Sequence, residues 1–194
     1  MHTLMLMLMF TAHLVQNTLN TDIIIVDLSL QCEKWRDALP DYEQIIQNSL
    51  QQIIENVPEG KILDKFSHLE ISIVLCDDEY IRHLNKNFRS QDKATNVLSF
   101  QGIETDQIKN YLSKTEDIPD YPQILGEIYI AYETMINEAQ AASLALRDHF
   151  YHLNLHGLLH LLGYDHIEDN DAKVMEALET KLLAKLAVDD PYGA

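Results

Sequence analysis

Hydrophobic and polar positions fall into regular blocks from residue 22 onward. Ile23, Ile24, Ile25, Val26 and Leu28 form a β-branched run of strand length, which predicts a strand buried near a sheet centre or against helices. After Pro40, the apolar residues Tyr42, Ile45, Ile46, Leu50, Ile53, Ile54 and Val57 share one helical stripe, and Pro58 and Gly60 end it. Leu69, Ile71, Ile73 and Leu75 alternate with polar or smaller residues as a second strand. Asp77 and Asp78 then offer N-cap chemistry for a short helix reaching about Lys86. Residues 95–100 read as a third strand and 124–130 as a fourth, while 102–122, with its charges and two prolines, reads as a long surface loop. Helices are expected over 132–146, over 148–162 with Gly163 as terminator, and over 169–186, the last with Val174, Ala177, Leu178, Leu182 and Leu186 on one side. Strands mixed with helices in this order predict an α+β fold, a small mixed four-stranded sheet wrapped by about five to six helices.

Length and composition sharpen this picture. A chain of 194 residues with 46% hydrophobic content can bury one sizeable core, so a single domain over 22–194 is expected. Residues 1–21 read as a flexible extension ahead of it. The apolar run Leu4 to Phe10 is far shorter than the roughly 18 residues of a membrane span, and no Lys or Arg precedes it as in a secretory signal. Cys32 and Cys76 form no CxxC pair, which argues against a disulfide framework or a thiolate zinc site and suits reduced thiols in a cytoplasmic protein. The formal charge of −17 argues against broad electrostatic binding to nucleic acid or to an anionic membrane.

Nine histidines make imidazole the main candidate for metal or acid–base chemistry. The informative segment runs from His152 through His156, Gly157, His160, Gly163, Tyr164 and Asp165 to His166. Eight residues of helix rise about 12 Å, so His152, His156 and His160 cannot all reach one ion at bond lengths near 2 Å. His156 and His160 can, if Gly163 ends the helix in a left-handed turn that returns His166 to the same ion. Three histidines would leave a fourth position open, the arrangement of a catalytic zinc. The spacing HxxxHxxGxxH is that of metzincin proteases, but Gly157 stands where those enzymes carry a glutamate base, so a peptidase reading is disfavoured. A glycine there is expected to let a bulky substrate approach the metal. Asp165 could orient a ligand imidazole or face solvent, and His152 is expected beside the metal or in the core instead of on it.

The segment from His156 to His166 resembles the signature of the YbeY family of bacterial endoribonucleases. Three further stretches agree in order: Asn85-Lys-Asn-Phe-Arg89, then Asp92-Lys-Ala-Thr-Asn-Val-Leu-Ser-Phe100, then Leu125-Gly-Glu-Ile128. Ala94, Gln101 and Glu127 depart mildly from the family pattern. The resemblance implies one Zn2+ held by His156, His160 and His166, with Arg89 and His156 as catalytic residues. It also implies a single-strand-specific, metal-dependent endoribonuclease of ribosomal RNA processing and ribosome quality control, acting near the small-subunit 3′ end. Its partners would be ribosomal RNA and small ribosomal subunit components, with no membrane. The alternative is a non-catalytic, zinc-stabilised ribosome-assembly factor.

The charge total then looks different. Between residues 82 and 101 stand four basic residues, Arg82, Lys86, Arg89 and Lys93, against Asp92 alone. The first three have helical spacing and are expected to share a face, lining a narrow basic channel at the metal. From sequence, a surface pairing of Arg89 with Asp92 stands as the bland reading.

Overall fold

The computed structural model describes residues 15–20 and 24–193. Five strands, β1 (Val15–Asn20), β2 (Ile24–Leu30), β3 (Leu69–Cys76), β4 (Val97–Gln101) and β5 (Gln123–Ala131), form one sheet in the order β1-β2-β3-β5-β4. The central three run parallel, and β1 and β4 pair antiparallel at the two edges. Seven α-helices accompany them among the described residues: α1 (Lys34–Ala38), α2 (Tyr42–Asn56), α3 (Asp78–Arg89), α4 (Thr105–Ser113), α5 (Tyr132–Ala141), α6 (Leu146–Leu161) and α7 (Asp169–Lys185). A 3-10 helix covers Gly60–Lys65. The α+β class and the mixed sheet are as expected from the chain's periodicity.

Several boundaries differ. The four expected strands are β2 to β5, and the fifth lies inside what sequence reading assigned to a flexible extension. Residues 15–20 pair with β2 from Val15 opposite Leu30 to Asn20 opposite Ile25. This stretch, VQNTLN, carries too few apolar residues to announce a strand, and backbone pairing to an edge supplies the rest. The apolar run Leu4 to Phe10 lies outside the described residues.

The expected loop 102–122 contains α4. A reciprocal capping box between Glu104 and Gln107 starts this helix, and Ile108 and Tyr111 pin it to the core. Helix α5 ends at Ala141 rather than 146, because Ser143 takes a left-handed conformation and Leu144 N–H turns back to the Ala139 carbonyl at 2.8 Å. The N-cap of α3 is as expected, Asp77 accepting from the Tyr80 N–H at 2.9 Å.

The two faces of the sheet are unequal. Ile24, Val26, Leu28, Ile71, Ile73, Leu75, Ile128 and Ile130 point to one side, where α2, α6 and α7 contribute Ile45, Leu50, Phe150, Leu155, Leu159 and Leu182 to a single large core. On the other side only Val74, Cys76, Ile81, Leu98 and Ala131 are buried together, beneath α3. Helix α6 lies in the large core with ten buried residues, including Phe150, Leu155, Leu159 and Leu161. Both cysteines are free and buried, and desolvation pushes the Cys76 thiol well above its ordinary value, so it stays unreactive.

Candidate metal centre

The C-terminal half of α6 carries His156 and His160 one helical turn apart. Beyond Leu161 the chain reverses at Gly163, which has φ +92°, a conformation costly for any residue with a Cβ. An added Cβ there would lie 2.5 Å from Thr105 Cγ2 and 2.6 Å from its Oγ1, at the start of α4. This turn returns His166 to the helix end. Candidate ligand atoms of His156, His160 and His166 all lie within 4.8 Å of one another. The structure therefore brings together the three histidines that the spacing singled out. Replacing Gly163 with alanine is expected to cost about 1–3 kcal/mol of stability and to lower metal occupancy by displacing His166. Thermal unfolding and metal analysis of the variant check this.

Hydrogen bonds fix the protonation of two of these rings. His160 Nδ1 lies 2.9 Å from the Tyr164 carbonyl, which can only accept, so Nδ1 carries the proton. His156 Nδ1 lies 2.8 Å from Glu179 Oε1 and donates to that carboxylate. Each ring is left with a lone pair on Nε2, and the two Nε2 atoms face each other at 3.0 Å. Two lone pairs at that distance repel unless a cation lies between them. The donor set thus fits a divalent transition metal bound through neutral imidazoles. Burial, reinforced by neighbouring His156 and His166, takes the His160 imidazole down to about 4, which keeps it unprotonated at neutral pH.

Glu179 is the residue that sequence reading missed. It lies on the buried stripe of α7 with Met175, Leu182 and Leu183, whereas Val174, expected on the packed side, is 54% exposed. No part of Glu179 is exposed. Its carboxylate takes hydrogen bonds from His156 and from the Tyr192 hydroxyl, with His152 Nε2 at 3.4 Å. Burial alone would raise its proton affinity; the partners His152, His156 and Tyr192 outweigh burial and hold it down at about 2. His152, His156 and Glu179 also form a group compact enough for a metal, but there the donor atoms are tied to one another by protons. His152 sits beside the metal centre, as expected from helical rise.

Gly157 is placed differently from expectation, and of the two readings open for Asp165 the solvent-facing one holds. Gly157 does not open onto substrate. It is buried against the sheet, and a Cβ added to it would meet Ile128 Cγ2 at 2.8 Å and Ser99 Oγ at 3.3 Å. Asp165 is exposed and accepts from the backbone N–H of His166 at 2.7 Å, bracing the turn instead of orienting an imidazole. Gln101 donates from Nε2 to the His160 carbonyl at 2.9 Å, tying β4 to the end of α6.

A cleft of about 450 Å3 opens beside the histidines, its lining including Phe88, Arg89, Phe100, His160, Tyr164 and one carboxylate, Asp165. Arg89 is the last residue of α3, which ends where Ser90 turns left-handed. Buried Asn85 donates to the Lys93 carbonyl at 2.8 Å and pins the loop that follows. Asp92 does not pair with Arg89; it is held by Arg82 at 2.7 Å and Lys86 at 2.8 Å. Those two cations line a separate recess with Asp78, Glu79 and His83. The expected basic channel is therefore reduced: of the helical trio, Arg89 alone lines the metal cleft, and it has no ion-pair partner among the described residues.

Comparison with known proteins identifies the family of the chain. The sequence profile described as Endoribonuclease YbeY matches residues 30–187, a span that holds Arg89, Glu179 and the three histidines. A protein named Endoribonuclease YbeY from Paramagnetospirillum magneticum is 40% identical over 177 residues, covering 89% of this chain and 98% of that protein. Another of that name from Bradyrhizobium diazoefficiens is 43% identical over 154 residues, covering 79% of this chain and 78% of its own length. With similarity spanning nearly the whole described fold and every element that builds the metal centre, the chain belongs to the YbeY family of endoribonucleases.

Proposed function

We propose that this protein is a zinc-dependent endoribonuclease that cuts single-stranded RNA, with ribosomal RNA near the small-subunit 3′ end as its substrate and small ribosomal subunit components as its partners. The observation that carries this reading is Arg89, without an ion-pair partner among the described residues, in the cleft lined by His160 of the three-histidine cluster. Zn2+ is the ion that suits three neutral imidazoles, held by His156, His160 and His166. When bound, it supplies a Lewis acid for a phosphoryl oxygen and acidifies water.

The chain's own groups do the rest. Glu179 keeps the His156 proton on Nδ1, and the Tyr164 carbonyl does the same for His160, so both rings present lone pairs. Arg89 presents a permanently charged fork matched to two phosphate oxygens, and its charge counts most as negative charge builds on phosphorus. His166 is exposed, which leaves the centre open on one side, as a reacting centre requires and a purely structural one does not. A cytoplasmic setting accords with the free thiols. Among the described residues no helix is long and apolar enough to cross a membrane.

The test is cleavage of single-stranded ribosomal RNA precursors by purified protein of measured zinc content. Chelation is expected to abolish cleavage, and zinc to restore it. Arg89→Ala is expected to lower kcat roughly 10²- to 10³-fold while zinc content and melting temperature stay as in the wild type. A zinc-loaded protein that cuts no RNA would sink the enzymatic reading and leave the non-catalytic assembly factor.

A further inference from the structure

Phe88 stands beside Arg89 at the end of α3, on a polar stretch where hydrophobic packing does not require an aromatic ring. It is 45% exposed. Its ring contacts Phe100 edge to face, with centroids 5.1 Å apart, and Phe100 contacts Tyr129 in the same way at 5.9 Å. Tyr129 in turn stacks on Tyr80 at 6.1 Å. This chain of aromatics runs from the small core beneath α3 to the surface, so Phe88 is an exposed ring on a fixed foundation. Both Phe88 and Phe100 line the cleft that holds Arg89 and His160.

From this juxtaposition, and resting on the RNA-cleaving function proposed above, we propose that Phe88 is the base-stacking platform of the substrate cleft, taking an unpaired nucleobase next to the phosphate held by Arg89. Consecutive side chains on a helix diverge by about 100°, so ring and guanidinium can address the base and the phosphate of one strand without competing. Every base has a π-face, so this contact is tolerant of sequence. A base inside a duplex has both faces covered by its neighbours and cannot lie on the ring. Phe88 therefore selects single strands, a role that neither the metal nor Arg89 can fill, because phosphates are present in both forms. The net charge of −17 makes the contact more important, since little affinity comes from long-range attraction to the RNA backbone.

The test uses zinc-loaded full-length protein and a fluorescent single-stranded oligoribonucleotide, with wild type compared to Phe88→Leu and Phe88→Trp. Leucine keeps apolar bulk over Phe100 and removes the π-face; tryptophan keeps a π-face. Melting temperatures identify any variant that has lost its fold. Binding by anisotropy and steady-state cleavage are both measured, on the intact strand and on a series carrying one abasic position each. Phe88→Leu is expected to raise Kd and KM roughly 10- to 100-fold with kcat changed much less, and Phe88→Trp to stay near wild type. One abasic position is expected to weaken wild-type binding and leave Phe88→Leu unaffected. Equal affinities for wild type and Phe88→Leu, or an abasic penalty that persists in Phe88→Leu, would overturn the stacking role. Wild-type protein that binds the strand with this pattern and never cuts it would overturn the nuclease function while upholding the platform.

Discussion

Glu179→Ala is expected to destabilise the protein by about 3–5 kcal/mol and to weaken zinc binding about 10- to 100-fold. The first figure follows from breaking a buried charged network on one side only. Without the carboxylate, the His156 Nδ1–H and the Tyr192 hydroxyl lose a fully buried acceptor, and a void remains between α6 and α7. The second follows from the freed His156 ring, which can rotate or change tautomer and so cease to aim Nε2 at Nε2 of His160. Glu179→Gln should fall between: its amide oxygen can accept from one donor, while its NH2 faces the other. Denaturation in chelator isolates the packing loss, and competition with a calibrated zinc chelator measures affinity. A variant that loses stability and binds zinc as tightly as wild type would confine Glu179 to packing.

Gly157→Glu, which completes the protease-like motif, is expected to destabilise the domain by several kcal/mol and to confer no peptidase activity. A Cβ at this position would already be only 2.8 Å from Ile128 on β5, and a longer side chain has to displace either the strand or the helix. Its carboxylate would be driven toward Ser99 Oγ, a buried hydroxyl with no other partner, which offers one hydrogen bond against the desolvation of a full charge. Because α6 carries His156 and His160, lifting it from the sheet also separates the histidine pair from Gln101 on β4. Expression in the insoluble fraction, or a sharply lowered melting temperature, is the expected outcome. A soluble, stable variant that hydrolyses casein in a chelator-sensitive way would show that the glycine is a choice of chemistry instead of a packing requirement.

The sequence made the three-histidine cluster readable because its logic is local. His156, His160, Gly163 and His166 lie within eleven residues, and helix rise plus one left-handed glycine determines how they meet. The central strands were readable for a similar reason: the continuous β-branched run at residues 23–28 and the alternation at 69–75 are local patterns. Glu179 was not, because its partner lies 23 positions earlier on another helix. Its one local signal was a carboxylate on the stripe of Met175, Leu182 and Leu183, and the choice of Val174 as the packed position had already turned that stripe away. Helix α4 was masked by the surrounding charges and prolines, although Glu104 and Gln107 stood at capping-box spacing. Helical spacing grouped Arg82, Lys86 and Arg89, and could not show that Asp92 would take the first two and leave the third.

The unequal faces of the sheet divide the site into parts of different rigidity. Helix α6, with His156 and His160, is anchored in the large core, so exposing its amides requires opening most of the molecule. Helix α3 contributes Ile81 to a cluster of five buried residues and buries only Ile81 and Asn85 of its own. Local opening free energy follows buried contact, so amide hydrogens of α3 should exchange through partial unfolding long before those of α6. Arg89 and Phe88 thus sit at the end of the less deeply anchored of the two helices, and His156 and His160 on the more deeply anchored one.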